Sequence, residues 1–304
     1  MMLWVCFYIA VLFMLGIDLF AFGRKGQHEV SIRESLTMTA VWIGVSLLFG
    51  LGIYLFYPNG AEMSMQFLTG YLIEKFLSMD NLFVFLTIFS VMGISKKYQH
   101  EVLFWGIIGA LVLRSVFIFL GAEIVSRFEW VLGIFGVILL YLGYTQFHEH
   151  EENAEQPKLL KWAQKNLSFV TDHQGKFFLK KDGKLVWTSL FVTLLIIELS
   201  DLIFAVDSIP AIFSVSRDPF IVLTSNIFAI LGLRALYFTL ADLSHWLQHL
   251  NFAIGIILIF VGVKILLDIF GILTIPTYFS LIFIFVCFIS VFLAERKTDS
   301  WTPF

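Results

Sequence analysis

Charged residues are scarce in this sequence, and apolar residues take their place. Of the 304 residues, 14% are charged and 59% are hydrophobic, and the mean hydropathy is +0.88. A soluble protein needs roughly a quarter of its residues charged, and a disordered chain needs low hydrophobicity. The composition therefore excludes soluble, disordered and nucleic-acid-binding proteins, and predicts an all-α, polytopic helical membrane protein.

Cysteines and the common catalytic motifs are also lacking. Cys6 and Cys287 lie inside apolar runs, where they offer neither a disulfide framework nor a thiolate metal cluster. The sequence contains no phosphate-binding glycine loop, nucleophile elbow or nucleotide motif. We therefore expect a protein that is not an enzyme, carries no resident cofactor and does not hydrolyse ATP.

What the sequence does contain is a series of apolar runs, each long enough to cross a bilayer with about 20 residues. They predict nine transmembrane helices, at 3–22, 36–57, 65–92, 102–122, 127–147, 186–213, 220–241, 250–271 and 276–294. Arg24 and Lys25 follow the first run, which has no small-residue cleavage site, so we interpret it as a retained helix. The third and sixth runs are long enough to be tilted, kinked or broken, and Pro210 lies near the end of the sixth.

The distribution of Lys and Arg predicts the orientation. With the N-terminus outside, the cytoplasmic segments hold 14 of the 20 Lys and Arg residues, and the outside segments hold two, Arg127 and Arg217. Short cytoplasmic loops carry such an excess of positive charge. We therefore expect a multi-pass protein of the inner (plasma) membrane with an outside N-terminus and a cytoplasmic C-terminus.

Two groups of three predicted helices resemble each other. Arg114 and Arg234 lie in similar motifs of the fourth and seventh spans, 120 residues apart. Glycines with a common spacing of seven recur in the fifth and eighth spans, at Gly136, Gly143, Gly255 and Gly262. Because three is odd, the second copy has to enter the membrane from the opposite side, as in the inverted repeats of many secondary transporters.

This 3+3 inverted repeat predicts the organisation of the chain. The predicted units are N-terminal helices 1–64, a first repeat 65–147, a cytoplasmic loop 148–185, a second repeat 186–271 and a last helix with its tail 272–304. Within the loop, Asp182 and Gly183 predict a small hairpin turn.

Ionisable residues within the spans predict the functional site, because each is costly to place in a bilayer. Glu198 and Asp201 share a helix face at i,i+3, and Glu74 and Asn81 share one at a spacing of seven. Asp207 lies off the Glu198–Asp201 face of an ideal helix. The predicted metal site consists of Glu74, Asp80, Asn81, Glu198, Asp201 and Asp207. Such oxygen ligands favour hard divalent ions, including Mn²⁺, Mg²⁺ and Ca²⁺.

Three segments, 74–85 (EKFLSMDNLFVF), 198–212 (ELSDLIFAVDSIPAI) and 218–234 (DPFIVLTSNIFAILGLR), resemble the signature segments of the TerC/Alx family of integral membrane proteins. The resemblance extends over about residues 17–264 and is closest to the Alx-type bacterial members. It implies export of divalent metal, chiefly Mn²⁺, with links to tellurium resistance and alkaline response in some members. Each position of the family's acidic motifs is occupied in this sequence, by one of the six predicted site residues.

The other charged residues have less specific interpretations. Arg114 and Arg234 are expected to pair with site carboxylates, and Lys264 and Asp268 to pair with each other at i,i+4. Asp18 is either a boundary residue or part of the site. The run 148–152 (HEHEE) and the spacing of Asp242, His245 and His249 are compatible with metal binding, although solvated loops explain both more simply.

The predicted function is export of a divalent cation, with Mn²⁺ as the first candidate, through a carboxylate-lined site by alternating access, with protons as a candidate counter-ion. The expected partners are that cation and the lipid bilayer, with no nucleic acid; a homo-oligomer is left open. The alternative is a non-transporting membrane scaffold or assembly factor with a structural acidic cluster. A third hypothesis, an intramembrane enzyme, has paired acids in its favour but no nucleophile or zinc triad.

Overall fold

A computed structural model describes residues 2–23, 32–128, 130–147, 162, 167–171, 173–181, 184–242 and 250–298. The helices are α1 (Met2–Gly23), α2 (Ile32–Phe56), α3 (Gly60–Val91), α4 (Lys96–Arg127), α5 (Val131–Gln146), α6 (Ser189–Phe213), α7 (Pro219–Leu231), α8 (Leu233–Asp242), α9 (Leu250–Ile269) and α10 (Thr277–Thr298). Strands β1 (Phe178–Lys181) and β2 (Lys184–Trp187) complete the described elements.

The helices are apolar enough for a membrane, which confirms the predicted fold class. In the described part of the chain, five helical stretches have the length and apolarity to cross a bilayer: Arg33–Phe56, Lys96–Arg127, Ser189–Phe213, Pro219–Phe238 and Phe252–Ile269. α3 is long enough but carries Glu62, Glu74, Lys75 and Asp80. The chain is therefore a helical integral membrane protein, and the number of nine spans stays a prediction.

The centre of the bundle is formed by α3, α6 and α7, which pack against one another. The stretch Pro219–Phe238 is 94% buried, so the α7 region is surrounded by protein. By contrast, α1 exposes large apolar side chains such as Leu12 and Phe13. This arrangement suits a bundle whose outer faces contact lipid.

The seventh predicted span differs from expectation because it forms two helices. α7 ends at Leu231, and α8 begins at Leu233 after Gly232. The Lys75 ammonium fills the space at this break: it donates to the Ala229 carbonyl at 3.1 Å, and a Cβ at position 232 would lie 2.6 Å from Nζ. A cation at a helix C-terminus is electrostatically favourable, and the absence of a Cβ at Gly232 leaves room for the ammonium in this position.

The third and sixth predicted spans are continuous helices. α6 runs through Pro210 to Phe213, so neither span contains the break that their length permitted. The sixth also begins later than predicted, since Val186 and Trp187 belong to β2. The hairpin is confirmed by antiparallel pairing of Phe178 with Trp187 and of Lys181 with Lys184, and its predicted turn residues lie outside the described residues.

α5 and α9 are joined by close backbone contacts through the repeated glycines. A Cβ at Gly143 would lie 2.8 Å from the Gly255 carbonyl oxygen, and one at Gly262 would lie 2.8 Å from the Gly136 carbonyl oxygen. Small residues permit such close approach of membrane helices. The pairing of 136 with 262 and of 143 with 255 makes the helices antiparallel, as an inverted repeat requires; the repeat itself stays a prediction.

Candidate ion site in the helix core

Arg114 of α4 connects two acidic residues in the interior of the bundle. Its side chain is 1% exposed. Nε donates to Asp201 Oδ2 at 2.9 Å, and Nη2 donates to Asp201 Oδ1 at 2.7 Å. Nη1 donates to Glu74 Oε1 and, at 3.3 Å, to the Ser208 hydroxyl. The predicted pairing of Arg114 with carboxylates is therefore confirmed, and it joins α3, α4 and α6.

Glu74 is fully buried and has further polar partners. Ser78, one turn along α3, donates its hydroxyl to Glu74 Oε1 at 3.1 Å. Asn226 of α7 donates its amide to Glu74 Oε2 at 2.9 Å. Because buried carboxyl groups are costly without such donors, these contacts stabilise Glu74 at the junction of three helices.

Glu198 lies one turn before Asp201 in α6 and occupies a different environment. A Cβ at Gly109 of α4 would overlap its carboxylate, so this glycine gives the side chain its space. Among the described residues, the buried Glu198 Oε2 accepts no hydrogen bond. Glu198 therefore supplies a carboxylate oxygen that Arg114 does not occupy.

Asn226 is a site residue that the sequence analysis did not single out. It is fully buried, and its Oδ1 has no hydrogen-bond partner in the part of the chain that the structure describes. Its amide nitrogen is committed to Glu74, so the oxygen is left as an acceptor. The sequence feature that could have identified Asn226 is an amide side chain within an almost wholly apolar span.

The structure brings some of the predicted metal ligands together and leaves others undetermined. Glu74 and Asp201 meet through Arg114, and Asn81 is buried at 6% exposure on α3. Asp18, Asp80 and Asp207 lie in helices, but their side chains are outside the described residues, as are the run 148–152, His245 and His249. Within the described side chains, no group of three acids, histidines or cysteines is placed to hold a metal ion. The ligand set stays a prediction.

The charges of this cluster do not balance. Glu74 and Asp201 share the single positive charge of Arg114, and Glu198 adds a third carboxylate close by along α6. The described cluster therefore has more acidic than basic groups, and a second positive charge would stabilise it.

The other buried bases have different surroundings. The Arg234 guanidinium, 1% exposed, lies 5.5 Å from the centre of the Phe104 ring. Lys264 donates its ammonium to the Ser280 hydroxyl of α10 at 3.1 Å, and Asp268, its predicted i,i+4 partner, interacts with it electrostatically. The predicted pair is therefore present as an electrostatic interaction, while the hydrogen bond of the lysine goes to α10.

At the end of the bundle predicted to lie outside, Asp218 fixes the start of α7. Its Oδ1 accepts from the Phe220 and Ile221 amides at 2.8 and 3.4 Å, with Pro219 in the first helical position. Tyr57 donates its hydroxyl to Asp218 Oδ2 at 2.7 Å. Burial, and secondarily this hydrogen bond, raise the pKa of Tyr57 above its ordinary value.

Fold and core together define an integral membrane protein with ionisable side chains enclosed among its helices. The family model described as "Integral membrane protein TerC family" matches residues 59–300, and the chain belongs to this family. A relative in Escherichia coli K12, named "Putative membrane-bound redox modulator Alx", is 44% identical over 88% of this chain and 86% of the relative.

Other relatives share this extent of similarity. A Myxococcus xanthus membrane protein, STKORF319, is 44% identical over 86% of this chain and 82% of its own length. A Rickettsia felis membrane protein is 40% identical over 92% of this chain and 93% of its own length. No solved structure matches the chain.

Proposed function

We propose that this protein exports a divalent metal cation, with Mn²⁺ as the first candidate, through the acidic cluster in its core. The observation that carries the proposal is that Glu74 and Asp201, on different helices, are held together by one buried arginine. A packing device has no need for an acidic excess enclosed in a bilayer, whereas a cation pathway does.

The ligand chemistry supports a hard cation. Asp201 and Glu198 offer carboxylate oxygens, and Asn226 offers an amide oxygen that has no partner among the described residues. Mn²⁺ and Mg²⁺ accept oxygen ligands of this kind, and the described cluster contains no thiolate or imidazole that would favour a softer metal. The resemblance of the acidic motifs to the TerC family points to Mn²⁺ within this class.

In the structure, the Arg114 guanidinium takes the place that a bound metal cation would occupy between Glu74 and Asp201. An incoming divalent ion competes with it for the oxygens of Glu74 and Asp201, so that the arginine neutralises the site when the ion has left. Alternating access of the two proposed repeats then carries the ion from the cytoplasm to the outside, and protons from outside are the proposed counter-ion. No chemical conversion and no resident cofactor enter this scheme.

The experiment is a flux assay on the purified protein in liposomes with a trapped Mn²⁺-sensitive dye, with and without a proton gradient. Asp201→Asn is expected to abolish flux, because it removes a carboxylate that holds both Arg114 and the ion. Glu123→Gln is the matched control, since Glu123 is an exposed acid paired with Arg127 on the surface; its flux should equal that of the wild type. Gradient-dependent flux identifies a proton antiporter.

A misfolded variant would mimic a loss of flux, so the double variant Arg114→Gln/Asp201→Asn is measured as well. It removes one positive and one negative charge together and leaves no unpaired guanidinium, and Glu74 keeps its contacts with Ser78 and Asn226, so folding of the variant is checked before flux is measured. A folded double variant without flux supports the ion site. Undiminished flux in Asp201→Asn contradicts it, and absence of flux from folded wild type favours the membrane scaffold.

A further inference from the structure

The β1–β2 hairpin has an exposed face on which apolar and basic side chains lie together. Cross-strand partners of an antiparallel pair point to the same side. The hairpin face is formed by two such pairs, Phe178 with Trp187 and Lys180 with Leu185. Its apolar side chains are all exposed, Leu185 by 65%, whereas Leu179 and Val186 on the opposite face are half-buried. The hairpin therefore turns part of its apolar surface away from the protein.

The hairpin face lies next to a helix that is apolar enough to cross a bilayer. Trp187 ends β2, and Ser189 begins α6, one of the five helical stretches with the length and apolarity of a span. The rings of Phe178 and Trp187 pack against Phe191 in the first turn of α6, with ring centres 4.6 and 5.4 Å apart. Tryptophan is enriched where membrane helices leave the bilayer, so we place the hairpin face at the membrane boundary.

Hydrogen bonds fasten the hairpin to the start of α6. Thr188 donates its hydroxyl to the Lys176 carbonyl at 2.7 Å, and Ser189 donates its hydroxyl to the Thr171 carbonyl at 3.1 Å. The Trp187 carbonyl accepts from the Val170 amide at 2.9 Å. The hairpin face therefore has a fixed place relative to α6, and through α6 relative to the bilayer.

Positive charge is concentrated on the same hairpin. Residues 176–187 contain four lysines and one aspartate. Lys181 and Lys184 are cross-strand partners at the tip, and like charges directly opposite each other destabilise a strand pair. The lysines of both strands are exposed, and the ion pairs in the described part of the chain do not include them. An anionic surface beside the tip would offset this repulsion.

A membrane surface fits these features better than a second copy of the chain does. Two hairpin faces in contact would bring lysines against lysines. The headgroup region of a bilayer, by contrast, accommodates tryptophan rings, and its anionic lipids attract lysines that lie close to a membrane span. Lysine stems also extend along apolar surface while their ammonium groups stay in the polar layer.

We propose that the hairpin face and the two lysines at its tip bind anionic phospholipids of the phosphatidylglycerol type in the adjacent leaflet. The aromatic and aliphatic side chains of the face contact the boundary between headgroups and acyl chains. The headgroup phosphates are bound by three ammonium groups, those of Lys180, Lys181 and Lys184. This inference is independent of the proposed transport function.

The test measures which lipid lies beside the hairpin in the full-length protein. Leu185→Cys, in a Cys6→Ala/Cys287→Ala background, is labelled with a fluorophore and placed in phosphatidylcholine nanodiscs. A small amount of spin-labelled phosphatidylglycerol or spin-labelled phosphatidylcholine is added as quencher. The relative association of phosphatidylglycerol should be higher by about fivefold or more, the contribution of one lysine near an anionic surface. High salt should reduce this preference.

Charge variants separate the lysines from the apolar face. Lys181→Gln/Lys184→Gln should lose most of the preference for phosphatidylglycerol, and Lys181→Arg/Lys184→Arg, which keeps both charges, should retain it. These side chains are exposed, so neither variant loses a buried contact. A fluorophore at Leu120→Cys, 54% exposed near the other end of α4, is the matched control and should show no preference.

Three outcomes would overturn the proposal. One is equal quenching by the two lipids at position 185, and another is a preference that survives Lys181→Gln/Lys184→Gln. The third is a preference that appears only after the acidic run 148–152 is neutralised by Glu149→Gln/Glu151→Gln/Glu152→Gln, since this run of the chain would then be the occupant of the lysines. None of these measurements depends on transport.

Discussion

Arg114 and Lys264 are both cations buried inside the helix bundle, but their charges are balanced in different ways. Arg114 donates to two carboxylates from two other helices, whereas Lys264 donates to one serine hydroxyl. The planar guanidinium has donors enough to bridge several acids, and the ammonium is a point charge on a flexible stem. The first arrangement closes a hydrogen-bonded charged network between helices, and the second balances the ammonium by an electrostatic interaction with Asp268 of its own helix.

Arg114→Leu should have the largest effect on this comparison. It leaves Glu74 and Asp201 buried without their cation, and breaking a buried pair in this way costs about 3–5 kcal/mol. The free energy of unfolding, measured by denaturant titration in detergent, should fall by that amount. The free energy of unfolding of Arg114→Lys should lie between those of the wild type and Arg114→Leu, since lysine keeps the positive charge but cannot reproduce the bidentate contact with Asp201. If Arg114→Leu is as stable as the wild type, the network is not formed.

Lys264→Met should change the stability far less. The substitution removes a desolvated charge together with one hydrogen bond, and replacing buried charge by an apolar side chain of similar volume is often neutral or stabilising. We expect a change within about 1 kcal/mol in the same titration. A loss as large as that of Arg114→Leu would mean that Lys264 is needed to balance a buried carboxylate, and the contrast between the two cations would disappear.

Tyr57 extends the comparison from buried cations to a neutral donor, since at the end of the bundle its hydroxyl donates to the Asp218 carboxylate. Because the pKa of Tyr57 is raised in the folded protein, folding resists its ionisation. The stabilising effect is complete below the ordinary tyrosine pKa of about 10 and is lost as the pH rises above it. Tyr57→Phe should lose about 1 kcal/mol at neutral pH.

The control is the slope of stability against pH. Between about pH 10 and 11, the wild type should lose stability more steeply than Tyr57→Phe, because the variant has no phenol to ionise at this position. Parallel slopes would show that the hydrogen bond to Asp218 does not control this titration.

The sequence predicted much of the fold because apolar length is a local property. The run 250–271 corresponds to α9 (Leu250–Ile269) within two residues, and the run 102–122 lies inside α4 (Lys96–Arg127), which extends beyond it at both ends. The break at Gly232 was not predicted, because glycine is common in membrane helices and the lysine that lies at the break comes from α3. Such a cause lies in tertiary contacts and leaves no pattern within the span.

The site was predicted in part for the same reason. Carboxylates in apolar spans are visible in a sequence, and Glu74 and Asp201 meet around Arg114. Asn226 was missed because a single amide in an apolar helix is most often a packing residue, and its significance comes from its contact with Glu74. Lys264 was assigned to its neighbour Asp268, and its hydrogen bond to Ser280 was missed because spacing along one helix does not show which side chain of another helix competes.

The contact between α5 and α9 also limits how the two parts of the molecule can move. Sliding of packed helices normally proceeds through small changes in interlocking side chains. At Gly143 and Gly255 the main chains approach closely, beside the side chains of Ile259 and Phe147, so a longitudinal shift of one helix would bring backbone against backbone. Turning about this crossing point preserves the contact. In the proposed transport cycle we therefore expect α5 and α9 to rotate about this contact. Opening of the ion site on one side of the membrane would then accompany its closing on the other side.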